Sequence, residues 1–185
     1  MKKYPGWKPK ECFTCSKGGH GSHTREENLT VAQVLEKYHG GPLDGVFTDG
    51  SSEPNPGPGG WGAVYVVGDR IIGQCHGKEA QTTNNRMELT ALIGAAGLVP
   101  KGVQTTVYSD SQLCVNTITL WAAKWKEKGW TKKGGEIKNL DLVVEAFELF
   151  ERRPELHLVW IPAHSGNRWN EYADSLACAW NRPVF

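Results

Sequence analysis

The stretch VFTDGSSEPNPGPGGWG, residues 46–62, ends a short apolar run on an ionisable side chain, Asp49, and follows it with glycines and prolines. Strand residues alternate faces, so Asp49 shares a side with Phe47 in a segment that otherwise reads as buried. A carboxylate there is costly unless something compensates it. Downstream, WGAVYVV and RIIGQCHG read as strands joined by Gly68-Asp69, a tight-turn dipeptide that signals a hairpin. The period then changes. NNRMELTALIGAAGL is helical, QTTVYSD is a strand, SQLCVNTITLWAAKW and IKNLDLVVEAFELFER are helical, LHLVWI is a strand, and NEYADSLACAW is a final helix. Three leading strands, then strands alternating with helices, predict an α/β fold: a mixed five-stranded sheet, antiparallel in its first three strands and parallel in the rest, flanked by helices.

The chain has 185 residues and 39% hydrophobic content, enough for one domain with a proper core and a further segment ahead of it. Collagen-like, disordered and disulfide-scaffold classes are excluded. HGGPLDG, residues 39–45, reads as a linker, which divides the chain into residues 1–28, a short helix with its linker at 29–43, and a main domain at 44–185. Within 29–43, Thr30 and Gln33 have capping-box spacing, and Val31, Val34, Leu35 and Tyr38 recur at helical intervals. The helix either docks on the main domain or spaces the first segment from it. No apolar run follows the N-terminal lysines and no stretch of about 18 uncharged apolar residues occurs, so the expectation is a soluble, cytoplasmic monomer with no membrane partner.

Three further carboxylates share the awkward placement of Asp49. Asp110 ends the strand QTTVYSD; Glu88 lies on the helical face of Ala91, Leu92 and Ala95; Asp174 lies among Ala173, Leu176 and Ala177. Singly, each has an ordinary explanation: a helix cap at Asp110, a snorkelling Glu88, an Asp174 answering a helix dipole. Strand ends bring Asp49 and Asp110 to one edge of the sheet, where open sheets place their sites, and four carboxylates converge if Glu88 and Asp174 point to that edge from their helices. Four converging carboxylates repel one another and take up protons unless divalent cations intervene, and an all-oxygen set favours Mg²⁺ or Mn²⁺ over zinc.

With these residues in place, the chain resembles a ribonuclease H of the bacterial type I class. The likeness runs from about Asp44 to Trp180, with six motifs in family order: FTDGS with NPGPGGWG, TTNNRMELTA, YSDSQ, the spaced tryptophans ending in GW, AHSGN and NEYADSLA. The resemblance implies a ribonuclease H-like fold and a catalytic quartet of Asp49, Glu88, Asp110 and Asp174 holding two Mg²⁺ ions, with Mn²⁺ as a substitute and Asp49 bridging. It implies that His164 assists proton transfer or product release. The residue before this histidine, commonly Gly in relatives, is Ala163 here. The implied reaction is hydrolysis of the RNA strand of an RNA/DNA hybrid, in which water attacks the RNA phosphate in line and leaves 5′-phosphate and 3′-hydroxyl ends.

By matching position, Asn55, Asn84 and Gln112 would contact the hybrid near its minor groove, where 2′-hydroxyls mark one strand only. Thr83 and Asn85 would lie by the DNA phosphate or support those that do. The window from Trp121 to Lys138 matches the family's basic protrusion. It places six lysines against Glu127 and Glu136 in the span 124–138, with Trp121, Trp125 and Trp130 nearby. Trp121 is the candidate for DNA-backbone contact, with Lys124, Lys126 and Lys128 beside it. A non-catalytic hybrid binder and a DNA nuclease or integrase of the same fold are the rival readings. The complete acidic quartet argues against the first and the hybrid-facing asparagines against the second.

The N-terminal segment CFTCSKGGHGSH gives C-x2-C-x4-H-x2-H from Cys12, Cys15, His20 and His23. Four such ligands suit a structural Zn²⁺, and the segment resembles a retroviral-type zinc knuckle, departing from it in the last ligand. With Lys2, Lys3, Lys8, Lys10 and Lys17 alongside, an auxiliary nucleic-acid clamp is expected.

Overall fold

A computed structural model describes residues 28–181. The proposed zinc ligands Cys12, Cys15, His20 and His23 lie outside that range. The sheet has five strands: β1 (Gly45–Ser52), β2 (Gly57–Val67), β3 (Arg70–Thr82), β4 (Thr105–Ser109) and β5 (Leu156–Trp160). Their order is β3-β2-β1-β4-β5. The pairs β1–β2 and β2–β3 are antiparallel, and β1–β4 and β4–β5 are parallel, as the sequence predicts. Gly68 and Asp69 both adopt positive φ, the geometry a two-residue hairpin needs.

Two strands reach further than their apolar runs. β1 continues through Asp49 to Ser52 because Gly59–Gly62 of β2 pairs opposite it, and β3 continues past Gly77 to Thr82 for the same reason. A glycine- and proline-rich stretch reads as a breaker, but here its glycines carry ladder hydrogen bonds. Asp49 therefore sits inside β1 rather than at its end. It does lie just past the parallel pairing with β4, whose last matched residues are Thr48 and Ser109. The next residue on each strand is an aspartate, so the register sets Asp49 and Asp110 side by side.

Helices cover both faces. On one, α2 (Asn84–Leu98) and α5 (Leu140–Arg152) pack Leu89, Leu92, Val143 and Ala146 over Val46, Ala63 and Val107. Between β4 and α5 the chain runs through α3 (Gln112–Asn116), a π turn (Thr117–Trp121) and α4 (Ala122–Glu127). On the other face, α6 (Arg168–Ala177) lays Trp169, Tyr172, Ala173 and Leu176 against Phe47, Val64 and Val66. The N-terminal helix α1 (Val31–Lys37) joins that second core through Val31 and Val34, with its capping box formed between Thr30 and Gln33. It docks rather than spaces. Among the described residues, no helix is long and apolar enough to cross a membrane.

Candidate active site

Ligand atoms of Asp49, Glu88 and Asp110 all lie within 4.8 Å of one another. Sheet register brings the two aspartates together; Glu88 arrives from α2. It can do so because Gly50 has no side chain: a Cβ there would stand 2.1 Å from the Glu88 amide nitrogen. From the opposite face α6 approaches as closely. A Cβ on Gly62, the β2 partner of Asp49, would meet Leu176 Cβ at 2.4 Å. That approach brings Asp174 close enough to Asp49 to raise its carboxyl further. The sequence-predicted quartet thus meets at one point, with three members in the tight group and Asp174 beside it.

The site is electrostatically costly. Asp49 and Glu88 are 9% and 8% exposed. Burial first, then the charges of Glu88, Asp110 and Asp174, hold the Asp49 carboxyl well above the usual carboxylate range. Glu88 is likewise raised well above it by burial and by Asp110, against the opposing hydrogen bond with Asp49. Burial raises Asp110 too, opposed by the Asn170 hydrogen bond and by His164. Glu88 Oε2 is buried without a hydrogen-bond partner. An orphaned carboxylate oxygen among two other acids is what a hard divalent cation would satisfy. The donor set fits Mg²⁺ or Mn²⁺.

Several groups orient Asp110. Asn170 Nδ2 donates to its Oδ2 at 3.0 Å, while Trp160 Nε1 and the Gln112 amide donate to its carbonyl at 3.1 and 3.0 Å. Glu171, buried on α6, is a fifth acid. Its carboxyl is raised chiefly by burial and drawn down by Gly166 and His164. Cys178 Sγ lies 3.4 Å from Asp174 Oδ1, its thiol raised by burial and by the neighbouring carboxylates. Sequence reading did not single out Asn170, Glu171, Trp160 or Cys178. The available signal was the spacing of Glu171, three residues before Asp174 and so on the same helical face. His164 is exposed in the loop 162–167 and adopts φ +46.

The expected hybrid-contacting residues divide into two groups. Asn55 and Asn84 are exposed and linked: Asn55 Oδ1 accepts from the Asn84 amide at 3.3 Å, and Asn84 Oδ1 accepts from the Ser52 amide at 2.7 Å. They tie the glycine-rich turn to the start of α2. Thr83 caps that helix, accepting from the Arg86 amide, and Gln112 opens α3 with its side chain exposed. Across the π turn, Asn85, Leu113, Trp121, Trp125, Lys132 and Lys138 line a cavity of about 180 Å³. Trp121 is 38% exposed, whereas Trp125 and Trp130 pack partly against the core. Lys124, Lys126 and Lys128 are all exposed, and Lys126 also pairs with Glu151 of α5 at 2.6 Å.

Comparison with known proteins agrees with this geometry. The sequence profile described as RNase H matches residues 44–180. The chain belongs to the ribonuclease H family. It is 46% identical over 136 residues to the ribonuclease H of Anaplasma marginale (strain St. Maries), covering 71% of this chain and 86% of that protein. Among solved structures, LC9-RNase H1, a type 1 RNase H with the type 2 active-site motif, is 30% identical with a TM-score of 0.61, covering 75% of this chain and 72% of that one. LC11-RNase H1, solved in complex with an RNA/DNA hybrid, is 27% identical with a TM-score of 0.52, covering 71% and 91%. Within this ribonuclease H, the acidic group of Asp49, Glu88 and Asp110 is one that could hold a metal ion.

Proposed function

We propose that the chain hydrolyses the RNA strand of RNA/DNA hybrids, leaving 5′-phosphate and 3′-hydroxyl ends. The observation that carries this reading is the buried cluster of Asp49, Glu88 and Asp110 with its orphaned Glu88 oxygen, in a chain of the ribonuclease H family. Asp49, Glu88, Asp110 and Asp174 would hold two Mg²⁺ ions. When bound, these supply Lewis-acid stabilisation of the charge that develops on phosphoryl and leaving oxygens.

The chain's own groups do the rest. Asn170 and Trp160 hold Asp110 in one orientation, which fixes where the phosphate stands. The exposed imidazole of His164, beside Asp110 and Glu171, would pass a proton to the departing oxygen or escort the product away. Asn55, Asn84 and Gln112 present hydrogen-bonding side chains to the groove edge carrying 2′-hydroxyls. Asn85 and Trp121 meet the DNA strand, with Thr83 supporting them through its cap. Residues 1–28 act as a further nucleic-acid clamp, with Cys12, Cys15, His20 and His23 on one Zn²⁺.

The test is cleavage of end-labelled RNA in RNA/DNA, RNA/RNA and DNA/DNA duplexes with Mg²⁺, run on this chain and its Asp110→Asn variant. Cutting of the hybrid's RNA alone, abolished in the variant, is expected. Products ending in a 3′-phosphate or cyclic phosphate, or tight hybrid binding without cutting, would overturn the reading. The same preparation, purified without chelator, is expected to carry one zinc per chain, and its absence would remove the knuckle.

A further inference from the structure

The segment ahead of the family-matched residues is built into the site's periphery. α1 lies antiparallel along α6: Ser175 Oγ donates to the Leu29 carbonyl at 2.7 Å, and Arg168 Nη2 donates to the Leu35 carbonyl at 3.2 Å. Beyond α1 the Arg168 amide donates to the Gly40 carbonyl at 2.8 Å, and Gly40 forms a parallel bridge with Asn167. Gly41 follows at φ +100, where a Cβ would stand 2.5 Å from Asn167 Oδ1. Asn167 Nδ2 in turn donates to Ser165 Oγ at 2.8 Å, and Ser165 Oγ to the Pro162 carbonyl at 2.9 Å. Between those contacts sits His164 at φ +46, a backbone region that residues other than glycine adopt uncommonly.

From this chain of contacts we propose that residues 29–41 form a strap that positions the His164 loop, so that the N-terminal addition sets the reaction rate through His164. α6 itself is seated against the sheet by Ala173 and Leu176, in a core that Val31 and Val34 of the strap share, and neither Gly41 nor Asn167 belongs to that core. The loop is not seated in that way: residues 162–165 are exposed. On its far side Gly166 reaches Glu171, and on its near side it is tied through Asn167, against which the strap lies. Gly41 and Asn167 are therefore positioning residues. The proposal rests on the reading that His164 acts in the reaction.

A double-mutant cycle separates the two ideas. Asn167→Ala removes the bond to Ser165 and no cap, since the Asn167 side chain makes no capping bond to α6. Gly41→Ala drives a methyl into Asn167. Each is expected to lower kcat on the hybrid about three- to tenfold with KM little changed, and to have no further effect in a His164→Ala background. Each should also flatten the limb of the pH–rate profile that His164→Ala removes. Equal losses with and without His164, or no loss in kcat, would overturn the strap. A His164→Ala enzyme with unchanged kcat would overturn the reading of His164 itself, and the strap with it, in the single variant alone. Thermal melting accompanies each variant, and Asn167→Ala carries the test if Gly41→Ala does not fold.

Discussion

Asp49 shows why this site needs an ion. It is buried within 4.8 Å of two other carboxylate groups, and its proton affinity is raised well above the ordinary range, as is that of Glu88. The metal-free folded protein therefore binds more protons than the unfolded chain once the pH exceeds the unfolded carboxylate pKa of about 4. Its stability falls as pH rises from there through the raised folded values. In chelator at pH 7, Asp49→Asn is expected to melt above the parent by several degrees, on a scale of about 2–4 °C per kcal/mol, with the gap closing toward pH 4. Adding Mg²⁺ should stabilise the parent more than the variant. Melting curves that place the Asp49→Asn variant at or below the parent at pH 7 would show that the cluster carries no such penalty. The sequence makes these acids visible because each is charged where its periodic neighbours are apolar. Asn170 and Glu171 lack that contrast: polar residues in a helix's first turn look ordinary until the fold sets them over Asp110.

Two helices reach the acidic group because a strand residue under each is glycine. α2 rests on Gly50 and α6 on Gly62, so the glycine-rich motif first serves close packing. Gly50→Ala must push α2, and Glu88 with it, away from Asp49. A displacement of that order is expected to lower kcat roughly 10²-fold. Gly97→Ala in the same helix, where an added Cβ meets nothing within 4 Å, should leave kcat intact and stabilise the helix by up to about 1 kcal/mol. Steady-state kinetics on both variants decide it; equal kcat values would refute the packing argument. The types and order of the elements are legible from apolar runs and the turn residues between them, as at Gly68-Asp69 between β2 and β3. Their extents are not. β1 and β3 outrun their apolar residues because a partner strand supplies the ladder, and the π turn at Thr117–Trp121 leaves no mark in composition.

At the scale of the whole molecule, a net charge of +1 conceals a divided surface. The carboxylates gather at one sheet edge, while lysines gather on the protrusion beyond α3. A polyanion can approach that edge only if cations offset the acids and the lysines hold its second strand. In sequence, Lys124, Lys126 and Lys128 look equivalent; in the fold they are not. Lys126 pairs with Glu151 at 2.6 Å and lies over the Phe147 ring, so phosphate contact would break an existing arrangement. Lys124 and Lys128 stand exposed on either side of it. Hybrid binding, measured on the Asp110→Asn background to prevent cutting, is expected to lose salt dependence when Lys124 or Lys128 becomes alanine, by up to about one unit of slope each. Lys126→Ala should change the slope less. If all three lysines can be replaced with the slope unchanged, the protrusion does not touch phosphate, and the second strand must be held elsewhere on the surface.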